Sequence, residues 1–86
     1  MEYEYHEAVA YIEYGNTLYA IVDTDSFIEL WVIRGGKLVF THVLTNDPPT
    51  RCGGYAIEPM DGFIMCVLPD SIVAYDPAAN WLRWRF

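Results

Sequence analysis

Leu18–Trp31 reads LYAIVDTDSFIELW, and Phe63–Asp76 reads FIMCVLPDSIVAYD. Each is an apolar run, then Asp-Ser, then a second apolar run. Val, Ile, Tyr, Phe and Trp dominate both, which is the composition of strands. Asp and Ser between two such runs satisfy the backbone of a tight turn. Two apolar strands joined by a turn, written twice, make an all-β chain the first expectation.

The rest of the chain extends that pattern outward. Turn signals recur every 8–12 residues, the spacing of all-β folds. Gly15-Asn16 separates AVAYIEY from TLYAIV, and Gly at the first central position suits a type II′ hairpin. Gly35-Gly36 separates FIELWVI from KLVFTHVL. Asp61-Gly62 separates YAIEP from FIMCVL and is a strong hairpin signal. Asp76-Pro77-Ala78-Ala79-Asn80 is a longer turn, with Pro77 suited to its first central position and Asn80 to the left-handed region. Thr45–Gly54, TNDPPTRCGG, is irregular, and Pro48-Pro49 exclude a central strand there. No segment supports a long helix. The expectation is a single domain over 1–86 with about eight short antiparallel strands. They form two four-stranded meanders, an internal repeat over 10–44 and 55–86 joined by the loop 45–54.

The two halves align residue by residue. With Ala10 laid on Tyr55, the shift holds through Ser26 on Ser71 and pairs Ile12/Ile57, Glu13/Glu58, Val22/Val67 and Asp25/Asp70. With Phe27 dropped as an insertion, Ile28 meets Ile72, Trp31 meets Tyr75, Leu38 meets Leu82 and Phe40 meets Trp84. A four-stranded meander of this size, with SIVAYDPAANWLRW as its inner hairpin, resembles one blade of a β-propeller. The Gly-His and Trp-Asp signatures of one propeller family are absent, and the resemblance implies fold alone. Two blades cannot close a ring. The alternatives are a small sandwich, a barrel, or several chains sharing one propeller.

Composition bounds the function. The 86 residues are 53% hydrophobic and 16% aromatic, too apolar for disorder. The net charge of −7 speaks against direct nucleic-acid binding, which needs Lys and Arg to neutralise phosphates. Glu2, Glu4, Glu7, Glu13, Asp23, Asp25 and Glu29 all precede the first base, Arg34. Simple solubility would explain this bias, and so would a basic protein partner, for which the first six of these are the expected contact set. The start, MEYEYHEAVAYIEYG, lacks a basic n-region and an apolar h-region. No run approaches the ~18–20 apolar residues of a membrane span. A cytoplasmic location and no membrane partner are expected, with Cys52 and Cys66 as free thiols.

LYAIV, LWVI and FIMCVL barely alternate, and continuous apolar strands expect burial on both faces. Self-association, or a partner covering one sheet, follows. At the chain ends Glu2 and Glu4 alternate with Tyr3 and Tyr5, and Arg83 and Arg85 with Trp84 and Phe86. Period two places charges on one strand face and rings on the other. The first strand is expected to close against the last, in the same chain or a neighbour, through Tyr3, Tyr5, Arg83, Trp84, Arg85 and Phe86.

No catalytic constellation emerges. His42 is in phase with Leu38, Phe40 and Leu44 and reads as a core or interface histidine. Asp23 and Asp25 are the best carboxylate pair, yet they sit in a turn, and Leu68-Pro69-Asp70-Ser71 lacks the first acid. No zinc set, calcium loop, phosphate-binding loop or cofactor motif is present. The expected function is a non-enzymatic interaction protein, of the kind phages use as small acidic inhibitors of a host nucleic-acid-binding protein. An oligomeric propeller-like lectin and a subunit of a larger assembly are the alternatives.

Overall fold

A computed structural model describes residues 7–24, 26–45 and 54–86. Eight strands run in chain order: β1 (Glu7–Tyr14), β2 (Thr17–Asp23), β3 (Ile28–Arg34), β4 (Lys37–Thr45), β5 (Ala56–Met60), β6 (Phe63–Val67), β7 (Ile72–Asp76) and β8 (Trp81–Arg85). They form two antiparallel sheets, β1-β2-β3-β4 and β5-β6-β7-β8, each a plain meander. Among the described residues the sheets share no ladder, so they stack as open layers and do not close into a barrel.

The turn chemistry decides where each strand stops. Gly15 lies at φ +65° between the paired Tyr14 and Thr17. Gly35 (φ +59°) and Gly36 (φ +75°) both take positive φ between the paired Arg34 and Lys37, as a type I′ turn requires. A Cβ at either position meets no atom within 4 Å, so any cost of substitution is conformational. Gly35→Ala is therefore expected to cost about 1–2 kcal/mol. Gly35→Asn should cost clearly less, because Asn tolerates the left-handed region. Thermal unfolding of both variants checks the order. Asn80, at φ +51°, ends the turn from Asp76, whose carboxylate accepts from the Ala78 N–H at 3.0 Å.

One core joins the layers. Tyr19, Ile21, Ile28, Leu30, Val32 and Leu44 of the first sheet pack with Ile64, Cys66, Leu68, Val73 and Tyr75. Leu30, Ile21, Ile64, Cys66 and Tyr75 are wholly inaccessible to solvent. Between the sheets, β1 lies beside β5. A second, smaller cluster of Ala20, Val22 and Trp31 lies on the opposite face of the first sheet. Strands with apolar residues on both faces thus explain the poor alternation of LYAIV and LWVI.

The meanders repeat in topology, but with a register different from the one that sequence identity suggests. The Thr24 N–H donates to the Phe27 carbonyl at 3.0 Å, and the Leu68 N–H donates to the Ser71 carbonyl at 2.8 Å. The turns therefore match Thr24 with Leu68 and Phe27 with Ser71. Ser71 is therefore not the counterpart of Ser26, and Phe27 is no insertion. Likewise Gly15-Asn16 corresponds to Asp61-Gly62, one residue away from the sequence alignment. The second half of that alignment stands: Ile28 with Ile72, Trp31 with Tyr75, Leu38 with Leu82, Phe40 with Trp84. In both sheets the last strand bulges at its third residue, Val39 in β4 and Arg83 in β8.

Candidate functional site

Three places carry polar or exposed groups that could act on a partner or ligand. The first lies between the sheets. The Tyr75 hydroxyl donates to Asn80 Oδ1 at 2.8 Å, and His42 Nε2 lies 2.7 Å from the same oxygen. A carboxamide oxygen only accepts, so this pairing puts the proton of His42 on Nε2. The His42 and Tyr75 rings are 5.1 Å apart, and Tyr19 and Tyr75 are 6.1 Å apart. Burial raises the Tyr75 phenol above its ordinary value; Tyr19 and Asp76 add to this, and Arg34 opposes it. These bonds join β4 to the β7–β8 turn. This is a joint between layers, built of an alternating strand histidine and a turn asparagine.

The second place is the outer face of β1–β4. Tyr11, Leu18, Ala20, Val22, Trp31 and Ile33 surround an open hollow of about 310 Å³. The small side chain of Ala20 makes room for it. Trp31 Nε1 donates to Glu29 Oε1 at 2.8 Å, and Tyr11 is 72% exposed.

The third place is the outer face of β5–β8. The ladders put Met60 beside Phe63, Met65 beside Ala74, and Ala74 beside Trp84. Phe86 continues β8 by exchanging two hydrogen bonds with Ile72, at 3.0 and 2.8 Å. Over buried Ala74, the Phe63 and Trp84 rings meet at 4.7 Å. Met60, Trp81, Trp84 and Phe86 are 51, 61, 50 and 70% exposed. Together these four present on the order of 400 Å² of apolar surface, the size of patch that marks interaction sites. Arg83 reaches back to Asp76 at 3.2 Å, as an exposed pair of little weight.

Among the described residues, Glu13 and Asp23 of the acidic set are not brought together, whereas Trp84 and Phe86 share the outer face of β5–β8. Glu2, Glu4, Asp25, Tyr3 and Tyr5 lie outside the described residues, as does Cys52, and the Glu7 side chain does too. Glu13 sits next to the β1–β2 turn on the outer face, paired with Leu18. Asp23 is at the other end of β2, paired with Ile28 on the inward side. Hence Glu13 and Asp23 share neither a face nor an end. Of the closure set, Arg85 pairs with Val73, and Trp84 with Ala74, on opposite faces of β8. Thr24 ties the β2–β3 turn: its hydroxyl donates to the Phe27 carbonyl at 3.0 Å and accepts from the Phe27 N–H at 3.2 Å. Among the described residues no three His, Cys, Asp or Glu gather to hold a metal ion, and no helix is long and apolar enough to cross a membrane. Cys66 is fully buried, and burial pushes its thiol up to about 12. Sequence reasoning missed the Asn80 carboxamide and the paired rings of Phe63 and Trp84. Their only local signals were a left-handed turn residue and strand alternation. No family model matches the chain, and no curated protein or solved structure does either.

Proposed function

We propose that this is a non-enzymatic interaction protein that works through the outer faces of its sheets. The observation that supports this reading best is the aromatic face of β5–β8, where Trp81, Trp84, Phe86 and Met60 are each at least half exposed. Such a surface is costly to leave in water unless something covers it. The chain's charge of −7 favours a basic partner, by steering as much as by contact. A small inhibitor that covers a nucleic-acid-binding surface is the concrete form: rings grip, and carboxylates stand where phosphates would.

A photo-crosslinking residue placed at position 84 in the full chain, in cells that express it, tests the reading. A discrete covalent adduct is expected from position 84 and none from Asp61, on a turn. Absence of any adduct at 84 would sink the proposal.

The exposed Trp81 and Trp84 also favour a second reading, sugar stacking by a propeller-like lectin. Calorimetric titration with a panel of oligosaccharides decides it. Heat that disappears in Trp84→Ala supports the lectin, and silence across the panel removes it.

A further inference from the structure

The two sheets do not meet through equivalent faces. In a two-residue hairpin the pair flanking the turn exchanges both of its hydrogen bonds. Once strand order is fixed, the chirality of L-residues sends the side chains of that pair to one particular face. The pair therefore labels the face. In β1–β4 it is Tyr14 with Thr17, on the side of Tyr19 and Ile21, toward the core. In β5–β8 it is Met60 with Phe63, on the side of Met65, away from the core. The next connection agrees: Asp23 with Ile28 stands on the inward side, and the corresponding Val67 with Ile72 stands on the outward side. The inward face of the first sheet thus corresponds to the outward face of the second. Contact within the chain is head to tail, and it leaves one head and one tail over.

We infer that the occupant of these two faces is a second copy of this chain. The outer face of β5–β8 in one copy packs on the outer face of β1–β4 in the next, repeating the contact already made inside the chain. This rests on the reading of the outer faces as contact surfaces, and names what covers them. The corresponding residues carry it further. Tyr75, central to the internal contact, corresponds to Trp31 at the hollow in the outer face of β1–β4. Partly buried Leu82, packed against the core, corresponds to Leu38, 37% exposed on that face. In the other direction, His42, which touches Tyr75, corresponds to Phe86; Phe40, opposite Val32 and 38% exposed, corresponds to Trp84. Rings stand outside where rings make the contact inside, and a hollow faces a projecting aromatic surface. A foreign partner of ordinary size covers one of two opposite faces; head-to-tail repetition covers both, one with each neighbouring copy. With the half-buried Phe63, Met65, Val67 and Ile72 added, each such contact clears roughly 1,000 Å² of total buried surface, enough for a specific interface. Repeated, it closes a ring or extends as a filament.

The test uses two full-length variants, Tyr11→Glu on one face and Trp84→Glu on the other, with Leu38→Glu and Phe86→Glu as second choices should either fail to fold by circular dichroism. Light scattering on a sizing column is expected to give more than one copy for the parent chain and 9.9 kDa for each variant alone. Mixed one to one, the two variants retain one intact head and one intact tail, and a species of twice 9.9 kDa is expected. A monomeric parent chain overturns the inference, whether a foreign protein or the chain's own residues 1–6 cover the faces. Variants that stay assembled, or a mixture that stays monomeric, overturn it too. A crosslink from position 84 to a foreign protein alone would defeat this inference while leaving the interaction reading intact.

Discussion

Tyr75→Ala is expected to destabilise the protein by about 3–5 kcal/mol, the range for losing a buried aromatic side chain. Tyr75 is 0% exposed and packs against Tyr19 and His42, so its removal opens a void where the sheets meet. Domains of this size hold roughly 0.05–0.15 kcal/mol per residue, so the loss takes a large share of the total. Tyr75→Phe separates packing from hydrogen bonding. It removes only the hydroxyl that donates to Asn80 Oδ1 at 2.8 Å, and His42 still serves that oxygen. About 1 kcal/mol is expected for the Phe variant. Urea unfolding followed by tryptophan fluorescence measures both. If the Ala variant unfolds within 1 kcal/mol of the parent, the sheets are not held together at Tyr75.

Alkaline pH is expected to weaken the fold steeply, with Cys66 as the largest identifiable cause. Its thiol rises from 9.0 to about 12 through burial. A group whose pKa is raised by folding contributes its full stability below the unfolded value and loses it as pH climbs through the folded one. The window is therefore pH 9 to 12, with a slope a little over 1 kcal/mol per pH unit and a total of about 4 kcal/mol. Tyr75, also raised by burial, deepens the fall above the ordinary phenol range. Urea midpoints at half-unit steps from pH 8 to 11 give the slope. Cys66→Ala starts from a lower stability but should be nearly flat between pH 9 and 10. An unchanged slope in that variant would remove Cys66 as the cause. The same burial keeps the native thiol unreactive toward alkylating agents at pH 8.

Much of the secondary structure was legible because local chemistry decides it. Gly15, Gly35-Gly36, Asp61-Gly62 and Asn80 take the positive φ that their turn positions suggested. Each strand is bounded at one end by a turn that holds such a signal. Facing was not legible, for a physical reason: a strand with apolar residues on both sides carries no period-two label. Trp31 and Tyr75 occupy corresponding positions, yet one ring lies on an outer face and the other in the core. The shared Asp-Ser drew the first half of the alignment off register, because identical residues outweighed turn geometry. The His42–Asn80 contact joins residues 38 apart in sequence, and no local pattern announces it. The acidic set was legible only as composition, since Glu13 and Asp23 point away from each other.

The strand order has a kinetic consequence. Each strand pairs only with its neighbour in the chain among the described residues, so every ladder begins by closing a short loop. Short loops close in well under a microsecond, and hairpins follow within microseconds. Each meander can therefore zip up from its own turns without waiting for the other. What remains is one event of a different kind: two sheets, sharing no ladder, must find each other by side-chain burial alone. The barrier to folding is expected in that encounter, with truncation of the residues between the layers, Tyr19, Ile21, Leu30, Ile64 and Tyr75, expected to slow refolding.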